Sequence, residues 1–294
     1  MKKSLLLSFL FLAVLGLQLN AKQTLQDNFH KAIEEGNVKA VQQLIKKGTN
    51  VNSKDDSGKT PLHIATQTGT LKMVKLLVKN GADVNAEADG GANPLLFSIF
   101  NKDKSNRIKI MKYLISKGAN VNTRLDKLSL LWFAARNAAV EEVKILLENG
   151  ASLKNLPDSA TTPIQAALNP NNDLKDVEAI LKIMIAHGAD MNMELPYTPN
   201  MTLLYNHIGN NRLELVKLLI KLGAKVNSNA EVSKSYLAIA VDNNNKDMVT
   251  LLLDNNAEIN AKNYNGKTAL DFAKNDDMRQ LLISHGAKSG KDLK

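Results

Sequence analysis

The sequence predicts an all-α fold, a solenoid of about eight helix-turn-helix repeats behind an N-terminal leader. Two columns of residues and one periodicity carry that expectation. The first column falls where helices should begin: Asp27, Thr60, Asn93, Ser129, Thr162, Thr202, Ser235 and Thr268. All are N-cap types, whose side-chain oxygen can accept from an orphan N–H of the first turn. The second falls where helices should stop: Gly48, Gly81, Gly118, Gly150, Gly188, Gly223, Asn256 and Gly286. Glycine and asparagine tolerate the left-handed backbone that ends a helix. Between the columns apolar residues recur at helical spacing, as at Leu71, Val74, Leu77 and Val78.

In chain order, residues 1–21 come first and differ in kind. Lys2 and Lys3 form a positive start, Leu5 to Leu17 an apolar run, and Leu19-Asn20-Ala21 a small-residue ending. This is the pattern of a secretory signal peptide cut after Ala21. The alternative is a retained anchor, although the run is short of the roughly 20 residues that span a bilayer. Repeats follow at roughly 26–55, 56–88, 89–125, 126–157, 158–195, 196–230, 231–263 and 264–288 within an array over 22–288. The third and fifth carry insertions between their helices, at Lys102 to Asn106 and at Asn169 to Asp173. Residues 289–294 read as a frayed polar tail. No linker interrupts the series.

The stretch Thr60-Pro61-Leu62-His63-Ile64-Ala65 resembles the T-P-L-H-x-A signature of the ankyrin repeat, and Gly81-Ala82-Asp83-Val84-Asn85 is similar to that family's repeat ending. The resemblance implies an ankyrin-repeat solenoid with short β-hairpin fingers. It assigns His63, and by position His30, to bonds across the helix-one motif, and puts Trp132 at the same position. It further implies a protein partner held by the finger tips and the exposed, concave side of helix one. Carried over residue by residue, the best candidates are Phe100, Asn101, Leu125, Leu128, Arg136, Asn137, Leu156 and Tyr197. Lys234, Asp242, Tyr264 and Lys267 are equivalent positions nearer the end. The tip glycine of Gly58 and Gly266 is replaced by Lys127, Ala160, Asn200 and Ser233, so the central fingers should differ in shape. The same fingers place Leu125, Leu128, Leu156, Leu195 and Tyr197 where water is expected, either as drift or as a binding patch.

Composition narrows the chemistry. Cysteine is absent, which excludes disulfides, zinc-thiolate sites and a cysteine nucleophile. The formal charge of +9 is spread over dispersed lysines that suit solvated outer-helix faces, as at Lys72 and Lys75. No nucleic-acid partner is expected. No paired carboxylates, G-x-S-x-G, H-E-x-x-H or phosphate-binding glycine loop is present. No catalytic residue, cofactor or metal is therefore expected. His187 and His285 precede helix-ending glycines, where a cation meets the negative end of the helix dipole. His207 stands alone on helix one of its repeat. The expected function is a non-catalytic scaffold acting outside the cytoplasm, a monomer without a membrane span once the leader is removed. A secreted effector or a toxin-neutralising immunity protein is the alternative, and an enzyme a remote one.

Overall fold

The computed structural model describes residues 23–154, 161–196, 198–227 and 233–293. The leader with Ala21, and Leu156, Ala160 and Tyr197, lie outside the described residues. The chain divides into two compact units. The first takes the described residues up to Ala134 together with Glu141–Ser152; the second takes Ala135–Val140 and the described residues from Leu153 onward.

In the first unit, α1 (23–34) is followed by α2 (Val38–Lys46), α3 (Pro61–Thr68) and α4 (Leu71–Lys79). Next come α5 (Pro94–Phe97), which continues as a 3₁₀ turn through Phe100, and α6 (Lys104–Ser116). The short hairpin β1 (Arg124–Leu125) and β2 (Leu128–Ser129) leads into α7 (Leu130–Arg136) and α8 (Val140–Glu148), of which Ala135, Arg136 and Val140 are counted in the second unit. Thr60 starts α3 as expected, with Pro61 at the first helical position, where its missing N–H costs nothing. Asp27 corrects the cap column. It lies inside α1, where its carboxylate accepts from Gln23, because helix already runs from residue 23.

The stop column holds at every position. All eight residues have positive φ, from Asn256 at 64° to Gly223 at 96°. Gly81 shows why. Its N–H reaches Val78 O and the following Ala82 N–H reaches Leu77 O, both at 3.1 Å, so the left-handed residue turns two donors back onto orphan carbonyls. Asn256 repeats that geometry without being glycine.

In the second unit, α9 (Pro163–Ala167) and α10 (Leu174–Ala186) precede the hairpin β3 (Glu194–Leu195) and β4 (Thr198–Thr202). Six more helical pieces form three pairs: α11 (Leu203–Gly209) with α12 (Leu213–Lys221), α13 (Tyr236–Asp242) with α14 (Lys246–Asp254), and a 3₁₀ turn (Ala269–Phe272) with α15 (Asp276–Ser284). The third-repeat insertion feeds the outer helix, whereas Asn169 to Asp173 form the expected loop ahead of α10. α6 and α10 have 13 residues against nine in α4, α12 and α14. In the third repeat Lys104 to Asn106 are helical, so the expected loop shrinks to a link capped by Asp103.

Cores form between neighbouring helix pairs. Leu62, Val74, Leu77, Leu95, Met111 and Leu114 are wholly buried in the first unit, and Ile180, Leu181, Val216, Leu219, Val249 and Leu252 in the second. Asparagines stitch the same neighbours together. Asn52 donates to Gly81 O and accepts from Asp83 N–H. Asn85 does so with Gly118 and Asn120, and Asn122 with Gly150 and Ser152. In the second unit Asn192, Asn227 and Asn260 make the same pair of bonds to the next repeat ending. Each amide satisfies one orphan carbonyl at a helix end and one loop N–H with a single side chain.

The tail is not frayed, which corrects the sequence expectation. Asp271 accepts from Thr268 N–H, Ser289 Oγ and Gly290 N–H, while the Thr268 hydroxyl donates to Lys288 O. Burial raises the Asp271 pKa, but these donors outweigh it and hold the carboxyl at about 2. Gly290 is obligatory there, since a Cβ would collide with the Gly266 carbonyl oxygen. Among the described residues no helix is long and apolar enough to cross a membrane.

Candidate functional site

His63 shows how the helix-one face is built. Its Nδ1 accepts from Thr60 N–H at 2.9 Å, and its Nε2 lies 3.1 Å from Ala92 O. Those partners fix the neutral tautomer with the proton on Nε2. The ring is wholly buried, and burial lowers its pKa to about 4. One imidazole thereby closes the α3 cap and ties the repeat to the next finger, as the resemblance implied.

From His63 a row of aromatic rings runs along helix one of successive repeats in the first unit. Phe97 meets His63 edge to face at 5.0 Å, Phe100 meets Phe97 at 6.4 Å, and Phe133 meets Phe100 at 6.0 Å. Trp132 ends the row at 5.2 Å from Phe133. The Lys59 ammonium sits 5.4 Å from the centre of Phe97. Phe100 is 40% exposed, one of few large apolar side chains open to water among the described residues. Beside it is a groove of about 480 Å³ lined by Gln67, Thr68, Phe100, Lys102 and Asp103 among others. Aromatics are 4% of the whole chain, so their concentration on this face is a local feature.

The other candidates separate. Asn101 borders the same groove but is only 4% exposed, and its amide donates to Thr66 O and Gly69 O. Its amide thus serves the framework, satisfying the carbonyls of the preceding helix end. Leu125 and Leu128 face each other across the β1–β2 turn and are half-buried, with Asp126 at φ 53° supplying the tight tip that glycine supplies elsewhere. Leu195 is buried, so it is not part of a wet apolar patch. Arg136 and Asn137 are exposed and belong to the second unit. Leu156 and Tyr197 fall outside the described residues.

The histidines before the helix-ending glycines bond to the helix ends. His187 Nδ1 lies 2.8 Å from Ile183 O and His285 Nδ1 2.8 Å from Leu281 O. His207 is half-buried, and burial first, then Arg212, lowers its pKa to about 4. Among the described residues no group of three metal-binding side chains forms. Sequence reasoning named Phe100 as a candidate but missed the aromatic row, because its members sit in different repeats and each alone reads as core.

The family model for ankyrin repeats (three copies) matches residues 29–125, 104–194, 173–263 and 204–292. No curated protein matches the chain at a significant level. Ankyrin repeats are general protein–protein interaction modules, and proteins built from them are typically non-catalytic scaffolds. With helix pairs, hairpin fingers and the His63 bridge all in place, the chain belongs to the ankyrin-repeat family.

Proposed function

We propose that the chain is a non-catalytic scaffold of eight ankyrin repeats that acts outside the cytoplasm and holds a protein partner on its concave face. The observation that carries the reading is Phe100. A ring 40% open to water, backed by Phe97 and Phe133 and bordered by a groove, is held ready for a partner side chain. A preordered aromatic costs little entropy to dock, and such side chains dominate interface energies. The export half of the proposal rests on the charged start, apolar run and Ala21 ending of the leader.

Affinity capture with protein starting at Lys22 tests the binding half. Phe100→Asp should lose the captured partner while shifting unfolding by less than about 1 kcal/mol, since the side chain is already part exposed. Charge reversal at Lys72 and Lys75, on the outer helix α4, should leave capture intact. Retention by Phe100→Asp with loss by the outer-helix reversals would move the site to the opposite face.

A further inference from the structure

The second unit carries a cluster of cations around one carboxylate and one aromatic ring. Lys234 and Lys274 both donate to the carboxylate of Asp242, at 2.5 and 2.9 Å. Lys274 donates to the Asp242 carbonyl as well, at 2.7 Å. Lys234 also lies over the ring of Phe272, 5.1 Å from its centre, and Lys267 shares that ring at 5.8 Å. Three ammonium groups thus converge on one carboxylate and one aromatic face, leaving a local surplus of two positive charges. Among the described residues Lys267 forms no ion pair. Beside it on the same finger stands Tyr264, 66% exposed and the most open large apolar side chain among the described residues.

We propose that Lys234, Lys267 and Lys274, set around Phe272 and Asp242, form a receptor site for the carboxylates of an acidic peptide segment, with Tyr264 as its apolar contact. The proposal rests on the protein-binding reading and gives a partner segment its chemistry in the second unit. Like charges gathered over one ring repel, and an incoming carboxylate relieves that repulsion. Asp242 holds two of the three ammoniums and the Phe272 face the third, so little side-chain freedom is lost on binding. The site suits one or two acidic side chains better than a polyphosphate backbone. It offers no arginine fork, and a fixed carboxylate sits at its centre, which repels a continuous line of phosphates.

A fluorescein-labelled octaglutamate peptide titrated into the full mature chain at low salt provides the test. Binding is expected, and it should fade as salt screens the charges. The double variant Lys267→Glu, Lys274→Glu should weaken it by about tenfold or more, whereas Lys72→Glu, Lys75→Glu, an identical change of net charge, should weaken it less than about twofold. Lys274 supports Asp242 and its reversal can disturb the fold, so Lys267→Glu alone is the second variant. It breaks no ion pair and should still weaken binding by about threefold or more. Equal losses from the two double variants would reduce the effect to net charge and overturn the site. So would absence of peptide binding, or tighter binding of a duplex oligonucleotide through the same lysines. These outcomes are independent of partner capture at Phe100, so either reading can fail alone.

Discussion

His63 keeps its proton on Nε2 because both ring nitrogens are already engaged, one by a cap N–H and one by a carbonyl of the next finger. Protonating Nδ1 would break the cap bond and bury a charge. The folded pKa of about 4 lies below the ordinary value of 6.5, so the folded state binds the proton more weakly than the unfolded chain. Its contribution is therefore fully present above pH 6.5 and is lost as pH falls through 4, a loss of about 3 kcal/mol when complete. The fifth repeat closes the same box on Thr162 with Gln165, which does not titrate. Hence His63→Gln should keep the cap and flatten the stability profile between pH 6.5 and 4, leaving the slope from His207. Urea midpoints at several pH values check this; an unchanged slope would show that His63 titrates normally. The cap and stop columns were legible in the sequence because each is a backbone demand that one residue type meets. Asp27 misled because its type fits a cap, while what decides a cap is whether the preceding residues have left the helix. The ladder asparagines were passed over since an isolated polar residue in a loop reads as surface, and the groups each one bonds belong to the next repeat.

At the scale of elements, the third-repeat insertion and the tail were misjudged for one reason: loop-like composition was read as loop, a reading that does hold for Asn169 to Asp173. Lys104 to Asn106 extend α6 by a turn, and Arg107 on that helix reaches the buried Glu142 of α8 at 2.6 Å. A charge buried at 0% exposure is tolerable only when paired, so the longer helix and the acidic start of α8 belong together. In the tail, Ser289 and Gly290 fold under the last finger to satisfy Asp271. Gly290→Ala should expel the tail, because the added methyl meets the Gly266 carbonyl. Losing those bonds should cost about 1–3 kcal/mol in the last repeat and open Lys288 to lysine-directed proteolysis. Limited digestion followed by mass measurement reads the result. Equal resistance in the two proteins would mean that the tail contributes no closure.

For the molecule as a whole, each unit is a stack in which a helix pair buries its apolar surface chiefly against its neighbours, so stability is a sum of repeat and interface terms. Leu62 is wholly buried in the first unit. Leu62→Ala should cost about 2–5 kcal/mol. Hydrogen exchange should then speed up in α3, α4 and α5 while α13 and α14 keep their protection. Uniform loss throughout the chain would argue for a single cooperative core instead. Fold class was readable at this scale since the same demands recur along the chain and errors in one repeat are corrected by the others. The candidate site was read less well. A repeat fold dictates its framework residues, whereas binding residues occupy the positions it leaves open, and only three dimensions join Phe97, Phe100 and Phe133 into one row.

The asparagine ladder also sets how this protein ages. Asparagine is among the heat-labile residues, and its side-chain amide can hydrolyse to a carboxylate. At Asn52 or Asn122 that change would keep the acceptor for the loop N–H but delete the donor, setting a negative oxygen against the carbonyl of Gly81 or Gly150. One covalent event would thus turn an attraction into a repulsion at a single junction, with no refolding able to reverse it. The working life of the molecule is then written in the hydrolysis rates of a few side-chain amides, and the shielding of each by its neighbours matters as much as the free energy of the fold.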